Sequence, residues 1–312
     1  MNNELMYEKI RGLIEQHDSI VLYHHINTDM DAYGSQLGLK HLLLENYPDK
    51  KVFVYGKDDN YHQDFTEKMD EFNIETVRNS LVIITDTSTT ARIEGEGWNE
   101  GLKSVKIDHH PFCEKFTDFD LTDPTASSCS QLILEMAICL GWKISSKTAE
   151  YLYAGIIDDT VSLTIDKVDS RLMSDLSILL KTPFSIHEVN RKLYDLSMEE
   201  YLEEGRLKDA VRFEGDFAYL LLSQKDLEQL NIEYEKAKEA VNLMSNIKGI
   251  NKYATIVQKE DGNYSASLRS HGPIINDIAV AYGGGGHPLA SGIDNIVPER
   301  IKDLIAEMKE RR

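Results

Sequence analysis

The chain has 312 residues, 41% of them hydrophobic and 28% charged, with only seven prolines. That is the composition of a soluble globular protein with room for two full cores. Its formal net charge of −19 excludes long duplex nucleic acid as the main ligand, because neutralising many phosphates needs a basic surface. A small phosphorylated substrate remains open, since metal ions can supply positive charge locally.

The opening stretch, MNNELMYEKIRGLIEQ, reads as an amphipathic helix and lacks the apolar centre of a signal peptide. SIVLYH (19–24) follows as a buried strand, INTDMDAYGS as a loop, and QLGLKHLLLENY as a helix. KVFVYG (51–56), SLVIIT (80–85) and SVKI (104–107) are further strands, and SSCSQLILEMAICLG (127–141) is a helix with a glycine stop. TAEYLYAGIIDDT is the next helix. This alternation predicts an α/β fold with a mostly parallel sheet covered on both faces. The residues 184–205, FSIHEVNRKLYDLSMEEYLEEG, read as a charged helical connector. Beyond them, RLKDAVRFEGDFAYLLLS and KYATIVQKEDGNYSASLRS read as hairpins, the second turning at Asp261-Gly262. GGGGHPLASG (283–292) leads into a terminal strand and a last helix from Pro298. The apolar runs are too short to span a bilayer, so no membrane association is expected. Cys113, Cys129 and Cys139 form no pairing framework and no CxxC motif, which fits a reducing cytoplasm.

Four segments place hard or borderline metal ligands at the end of a regular element. HHINTDMD offers His25, Asp29 and Asp31; Asp86 follows SLVIIT; KIDHHPFCE offers Asp108, His109 and His110; GIIDDT offers Asp158 or Asp159. Each alone also reads as a polar loop, a helix cap or a solvated helix end. Together they converge where open α/β sheets bind ligands, at the carboxyl ends of the strands. Carboxylates and imidazoles without thiolates suit manganese, and also magnesium, iron or cobalt. The set is too large for one ion and suits two sharing a bridging carboxylate, an arrangement used for phosphoryl hydrolysis. Near the C-terminus, four glycines allow close backbone approach to a phosphate. His287 and Ser291 add donors, and Arg269 adds a planar fork for a terminal phosphate or carboxylate. Tyr282 reads as a core residue or as a base-stacking ring.

The order HxxxDxD, strand-end aspartate, DHH and GIxxDT resembles the DHH phosphoesterase superfamily, and SLRS with GGGGHPLASG resembles its DHHA1 domain. The likeness runs over nearly the whole chain. It is strongest to small enzymes that degrade nanoRNA and 3′-phosphoadenosine 5′-phosphate, a group that includes cytoplasmic phosphodiesterases splitting pApA in cyclic di-AMP signalling. The resemblance implies that His25 and Asp29 hold one metal, that Asp31, His109 and Asp159 hold the other, and that Asp86 bridges them. Asp159 is preferred to Asp158 because it precedes Thr160, matching the family's D-T. Asp108 is implied to orient a neighbour, and His110 to face the phosphate near the leaving oxygen. Arg269, Gly284, Gly285, Gly286, His287 and Ser291 are implied to bind substrate. The implied cofactors are two divalent ions, Mn2+ foremost, with Mg2+ or Co2+ as substitutes.

Residues 1–185 are expected to form the DHH domain, 186–205 the connector and 206–312 the smaller α/β DHHA1 domain. A dinucleotide is expected to reach from the metals to Arg269 and His287. The family often forms homodimers. Many members carry proline and glycine where this chain has Thr28 and Met30, and glycine where it has Val161. An inorganic pyrophosphatase or exopolyphosphatase is the alternative, disfavoured by GGGGHPLASG. A nucleotide sensor with a decayed site would have lost a ligand, and none is missing. A processive exonuclease would carry a further nucleic-acid-binding domain.

Overall fold

The computed structural model describes residues 3–57, 65 and 67–312. The chain divides into two compact units, Met1–Asp195 and Leu196–Arg312. The first unit contains, in order, α1 (Asn3–Gln16), β1 (Ser19–Tyr23), α2 (Met30–Asn46), β2 (Lys51–Val54), α3 (Ile74–Arg78), β3 (Leu81–Thr85), β4 (Lys103–Asp108), β5 (Phe119–Thr122), α4 (Cys129–Cys139), α5 (Ser146–Asp159), α6 (Ser170–Leu179) and α7 (Ile186–Tyr194). Its five strands form a parallel sheet in the order β2-β1-β3-β4-β5.

Both faces of this sheet are buried, which is why its strands read as unbroken apolar runs. Ile20, Leu22, Leu81 and Ile83 point into the larger core under α1, α2, α4 and α5. Val21, Tyr23, Val82 and Ile84 alternate into the core on the other face. The strand order reverses between β1 and β3, so the crevice at their carboxyl ends is the topological switch point. Register then sets the level of the polar residues. Tyr23 pairs with Ile84, and Thr85 with Ile107. His25, Asp86 and Asp108 therefore leave the sheet at nearly one height.

The second unit contains α8 (Met198–Ala210), β6 (Arg212–Glu214), β7 (Phe217–Leu222), α9 (Gln224–Leu230), α10 (Tyr234–Glu239), β8 (Lys252–Gln258), β9 (Tyr264–Ser270), α11 (Asn276–Ala281), β10 (Gly285–His287), β11 (Ala290–Ile296) and α12 (Ile301–Glu310). Its sheet runs β10-β11-β9-β8-β7-β6. All neighbours are antiparallel except β7 and β8. Both expected hairpins are present, and Gly262 has the positive φ its turn requires (88°). The helices α7 and α8, which take up the charged stretch 186–205, are divided between the units by their buried apolar residues. Val189 of α7 belongs to the first unit's core, and Leu207 of α8 to the second's. No described helix is long and apolar enough to cross a membrane.

A charged cluster ties α1, α4 and α6 to the residue that follows β5. Arg171 pairs with Glu135 and Asp123, and the Tyr7 hydroxyl donates to Glu135. Burial and the adjacent Glu135 carboxylate raise the Asp175 pKa to about 7. Its folded pKa exceeds the unfolded value near 4, so the folded state holds an extra proton between about pH 4 and 7, and stability falls as pH rises through that window. Asp175→Asn is expected to remove this loss. The Tm difference between variant and wild type should grow from pH 5 to pH 8, and a constant difference would contradict the assignment.

Candidate metal centre

Each strand end delivers its ligand through a local device. Asp29 caps α2, its Oδ1 accepting the Ala32 amide at 3.0 Å. Its Oδ2 remains 3.5 Å from His25 Nε2. The His25 Nδ1 faces the Ile26 carbonyl at 2.8 Å. A proton there fixes the tautomer and leaves Nε2 as a ligand. Asp31, in the first turn of α2, is fully buried. It accepts amides from the first turn of α4, Cys129 at 2.6 Å and Ser130 at 2.9 Å. A helix N-terminus thus holds that carboxylate from behind.

Asp86 sits between the two groups. Its Oδ2 lies 3.2 Å from His25 Nε2 and its Oδ1 3.4 Å from His109 Nε2. The His109 Nε2 also faces Asp159 Oδ2 at 3.2 Å and Asp31 Oδ2 at 4.0 Å. Three sets of ligand atoms, each gathered within 4.8 Å, result: His25, Asp29 and Asp86; Asp31, His109 and Asp159; Asp86, His109 and His110. The two acids of GIIDDT diverge: Asp159 enters the cluster, whereas Asp158 accepts the Met30 amide at 3.1 Å. Asp108, at the end of β4, takes both the backbone N–H of His110 at 3.1 Å and its ring Nδ1–H at 2.9 Å.

The electrostatics of these residues are those of a cation site. Burial lowers the His25 pKa, but hydrogen bonds to Asp29 and Asp86 outweigh it and raise it to about 10. Burial likewise lowers that of His109, and Asp86 and Asp31 raise it to about 9. Asp86 is pushed up by burial, yet the two imidazoles hold it well below the usual carboxylate range. Asp31 is raised by burial and by the Asp86 charge, and Asp159 by burial and Asp31. Without a cation the cluster holds extra protons where divalent ions would bring their charge. The buried Oδ1 of Asp86 has no hydrogen-bond partner, a vacancy that a metal bond would fill. The residues present fit divalent ions with oxygen and imidazole ligands.

Backbone strain concentrates here. Of six described non-glycine residues with positive φ, five border the cluster: Asn27, Asp86, Val161, Ser162 and Leu163. The Thr160 hydroxyl donates to the Ile156 carbonyl at 2.6 Å and accepts the Leu163 amide at 3.1 Å, fixing the left-handed turn beyond Asp159. Gly155 lets α5 close on α2 and α4. A Cβ there would lie 2.2 Å from Ser130 Oγ and 2.9 Å from Asp31 Oδ1.

Two cations near the centre were not singled out from the sequence. Arg92 extends an exposed guanidinium to 3.4 Å from His25 Nδ1, its backbone fixed by the Ile26 amide at 2.7 Å. Lys106 lies inside β4, fully buried. The readable signals were a basic residue in the loop that follows Asp86 and a lysine inside the apolar run SVKI.

In the second unit, Arg269 on β9 and His287 on β10 both pair with Ala290 of β11. Arg269, Ala290 and His287 therefore form one row on one face, with the outer two roughly 10 Å apart across a small side chain. Burial lowers the Arg269 pKa. Ser291 does not join this row: strand alternation turns it to the other face, where its hydroxyl donates to the His287 carbonyl at 2.9 Å. The glycine run belongs in part to the sheet. Gly285 and Gly286 are paired in β10, and the Gly284 amide is taken by Ala279. The glycines serve strand approach, since a Cβ at Gly284 would lie 2.1 Å from the Gly292 carbonyl oxygen. Tyr282 is a core residue, its hydroxyl donating to Glu307 and its ring covered by Arg300 at 3.9 Å.

Known proteins fit this description. Residues 19–156 match the N-terminal domain of the DHH family and residues 216–311 match the DHHA1 domain; the chain belongs to the DHH family. It is 36% identical over 300 residues to the bifunctional oligoribonuclease and PAP phosphatase NrnA of Bacillus subtilis, covering 95% of each chain. To the probable NrnA of Streptococcus mutans it is 32% identical, with 97% of this chain and 98% of the relative covered. In fold it is similar to an exopolyphosphatase-related protein from Bacteroides fragilis, with a TM-score of 0.86, 23% identity, and 98% and 96% of the two chains covered.

Gly155→Ala is expected to displace Asp31 and weaken binding of Mn2+ by about 10–100-fold, the usual range for disturbing the groups that support a ligand. Titration calorimetry on the metal-free protein reads this directly. Wild-type affinity in the variant would show that α5 tolerates the methyl group without moving Asp31.

Proposed function

We propose that the chain is a two-metal phosphodiesterase of a reducing cytoplasm that cleaves very short phosphorylated oligonucleotides, pApA or nanoRNA, to mononucleotides. It would also remove phosphate from 3′-phosphoadenosine 5′-phosphate. The observation that carries this reading is Asp86, which offers one oxygen to each of two imidazoles already joined by further carboxylates. His25 and Asp29 are assigned to one ion, Asp31, His109 and Asp159 to the other, with Asp86 shared and manganese the favoured metal. When bound, such a pair supplies charge neutralisation at the phosphate and an acidified water as nucleophile.

The chain's own groups do the rest. With Nδ1 held by Asp108 and the ring partly exposed, His110 is assigned to offer Nε2 to the substrate. A proton on Nε2 passes to the leaving oxygen: the N–H bond breaks, the P–O electron pair moves to oxygen, and a neutral imidazole remains. Arg92 adds an exposed guanidinium in a strongly acidic chain, suited to a phosphate oxygen. Arg269 and His287 are assigned to a terminal phosphate, and the edge strand β10 to backbone contacts with it. The names of the curated relatives support the same substrate class.

Asp86→Ala should abolish turnover and lower the binding of both ions; full occupancy with normal turnover would reject the shared-ligand assignment. A surface of net charge −19 offers a polymer little attraction away from the metals, because salt screens charge within about 8 Å. kcat/KM is therefore expected to fall steeply from two nucleotides to about five or more, with mononucleotide products. Equal efficiency on pApA and on a twenty-nucleotide single strand would favour an exonuclease instead.

A further inference from the structure

Lys106 and Asp108 lie on the same face of β4, two residues apart, and neither side chain is exposed at all. The Lys106 Nζ is 3.8 Å from Asp108 Oδ2. It donates to the Glu114 carbonyl at 3.4 Å and sits over the rings of Phe112 at 5.4 Å and Phe116 at 5.1 Å. Asp108 Oδ2 is buried without a hydrogen-bond partner, while Oδ1 carries both bonds to His110. An ammonium taken wholly out of water costs several kcal/mol unless it is compensated. A leucine or methionine would fill this strand position without that cost. What a buried charge adds here is a field acting on the next buried charge, and that charge orients the histidine.

We propose that Lys106 is a positioning residue: it fixes the Asp108 carboxylate so that His110 presents Nε2 to the leaving oxygen. The inference rests on the phosphodiesterase reading above for its chemistry, but its structural half stands without it. The competing role is purely mechanical, with Lys106 packing the loop 111–116 through its two rings and one carbonyl. The two roles separate by leaving group. A p-nitrophenolate leaves without a proton, whereas a nucleoside hydroxyl does not.

The test compares wild type with Lys106→Met on pApA and on the p-nitrophenyl ester of a nucleoside 5′-phosphate, with Mn2+ present. On pApA, kcat is expected to fall by about 100-fold, the lower range for losing a placed acid, with KM little changed. On the activated ester the fall should be less than about threefold. Equal losses on both substrates would overturn the proposal and leave the mechanical role. Asp108→Asn supplies the coupling: added to Lys106→Met it should cause no further loss, and multiplicative losses would show that Lys106 does not act through Asp108. Should Lys106→Met fail to fold, Lys106→Gln, which keeps a donor for the Glu114 carbonyl, decides the same comparison. Independently of turnover, nitrogen-15 spectra of metal-free, histidine-labelled protein should show a protected Nδ1 proton on His110 that the Lys106 variant loses. An unchanged signal overturns the positioning role even if the enzyme is active. An inactive wild type with that signal lost refutes the phosphodiesterase reading alone.

Discussion

Four carboxylates gathered around two imidazoles are the constraint that the first unit is built to satisfy. Such a set repels itself, and each buried member would by preference be neutral. The fold answers with fixed charge of the opposite sign. Imidazoles from two strand ends face Asp86, and the first turn of α4 gives two amides to Asp31. The α2 backbone takes Asp158 away from the cluster. The compensation is incomplete, as the raised pKa values of His25 and His109 record. Divalent ions would complete it, so metal binding and stability of this edge of the sheet are coupled.

That compensation needs rigid supports, and the apolar core provides them. Strands buried on both faces cannot slip without turning side chains to the wrong face. The pairing of Tyr23 with Ile84 and Thr85 with Ile107 is thereby locked, and the ligand heights with it. The helices are set by close approach. Gly34 and Gly155 stand where a methyl group would strike backbone or ligand atoms. The second unit uses a different device, a row of Arg269, Ala290 and His287 across three antiparallel strands. There the geometry comes from cross-strand register.

Much of this was legible because strand ends in a parallel sheet are marked twice, by the end of an apolar run and by the polar residue after it. SIVLY, LVIIT and KI before Asp108 carry that mark. β5 does not: in FDLT only Leu121 is buried, so its pattern is that of an edge strand with nothing to distinguish it from a loop. The orientation of Ser291 was not legible for a related reason. It follows Ala290, the cross-strand partner of His287, and successive residues of a strand point to opposite faces. The glycines suggested close backbone approach to a phosphate, and nothing in their sequence showed that they also permit the close pairing of β10 with β11. Lys106 was passed over because a single lysine in an apolar run looks like an edge substitution, and only burial separates the two.

The adjacency of His109 and His110 follows from how the chain leaves β4. In a continuing strand the two rings would point to opposite faces, and in a helix they would diverge by about 100°. Here Asp108 ends the strand by accepting the backbone N–H two residues on, a side-chain turn. The same oxygen captures the second ring, leaving the first free to swing inward. The rings end 4.5 Å apart at 60°. His109 Nε2 is directed at Asp31, Asp86 and Asp159. The His110 ring is anchored at Nδ1 and remains one-third exposed. One aspartate thus converts two identical side chains in sequence into an inward-facing and an outward-facing imidazole. The order matters, because an Asp placed after the pair could not accept the amide that makes the turn.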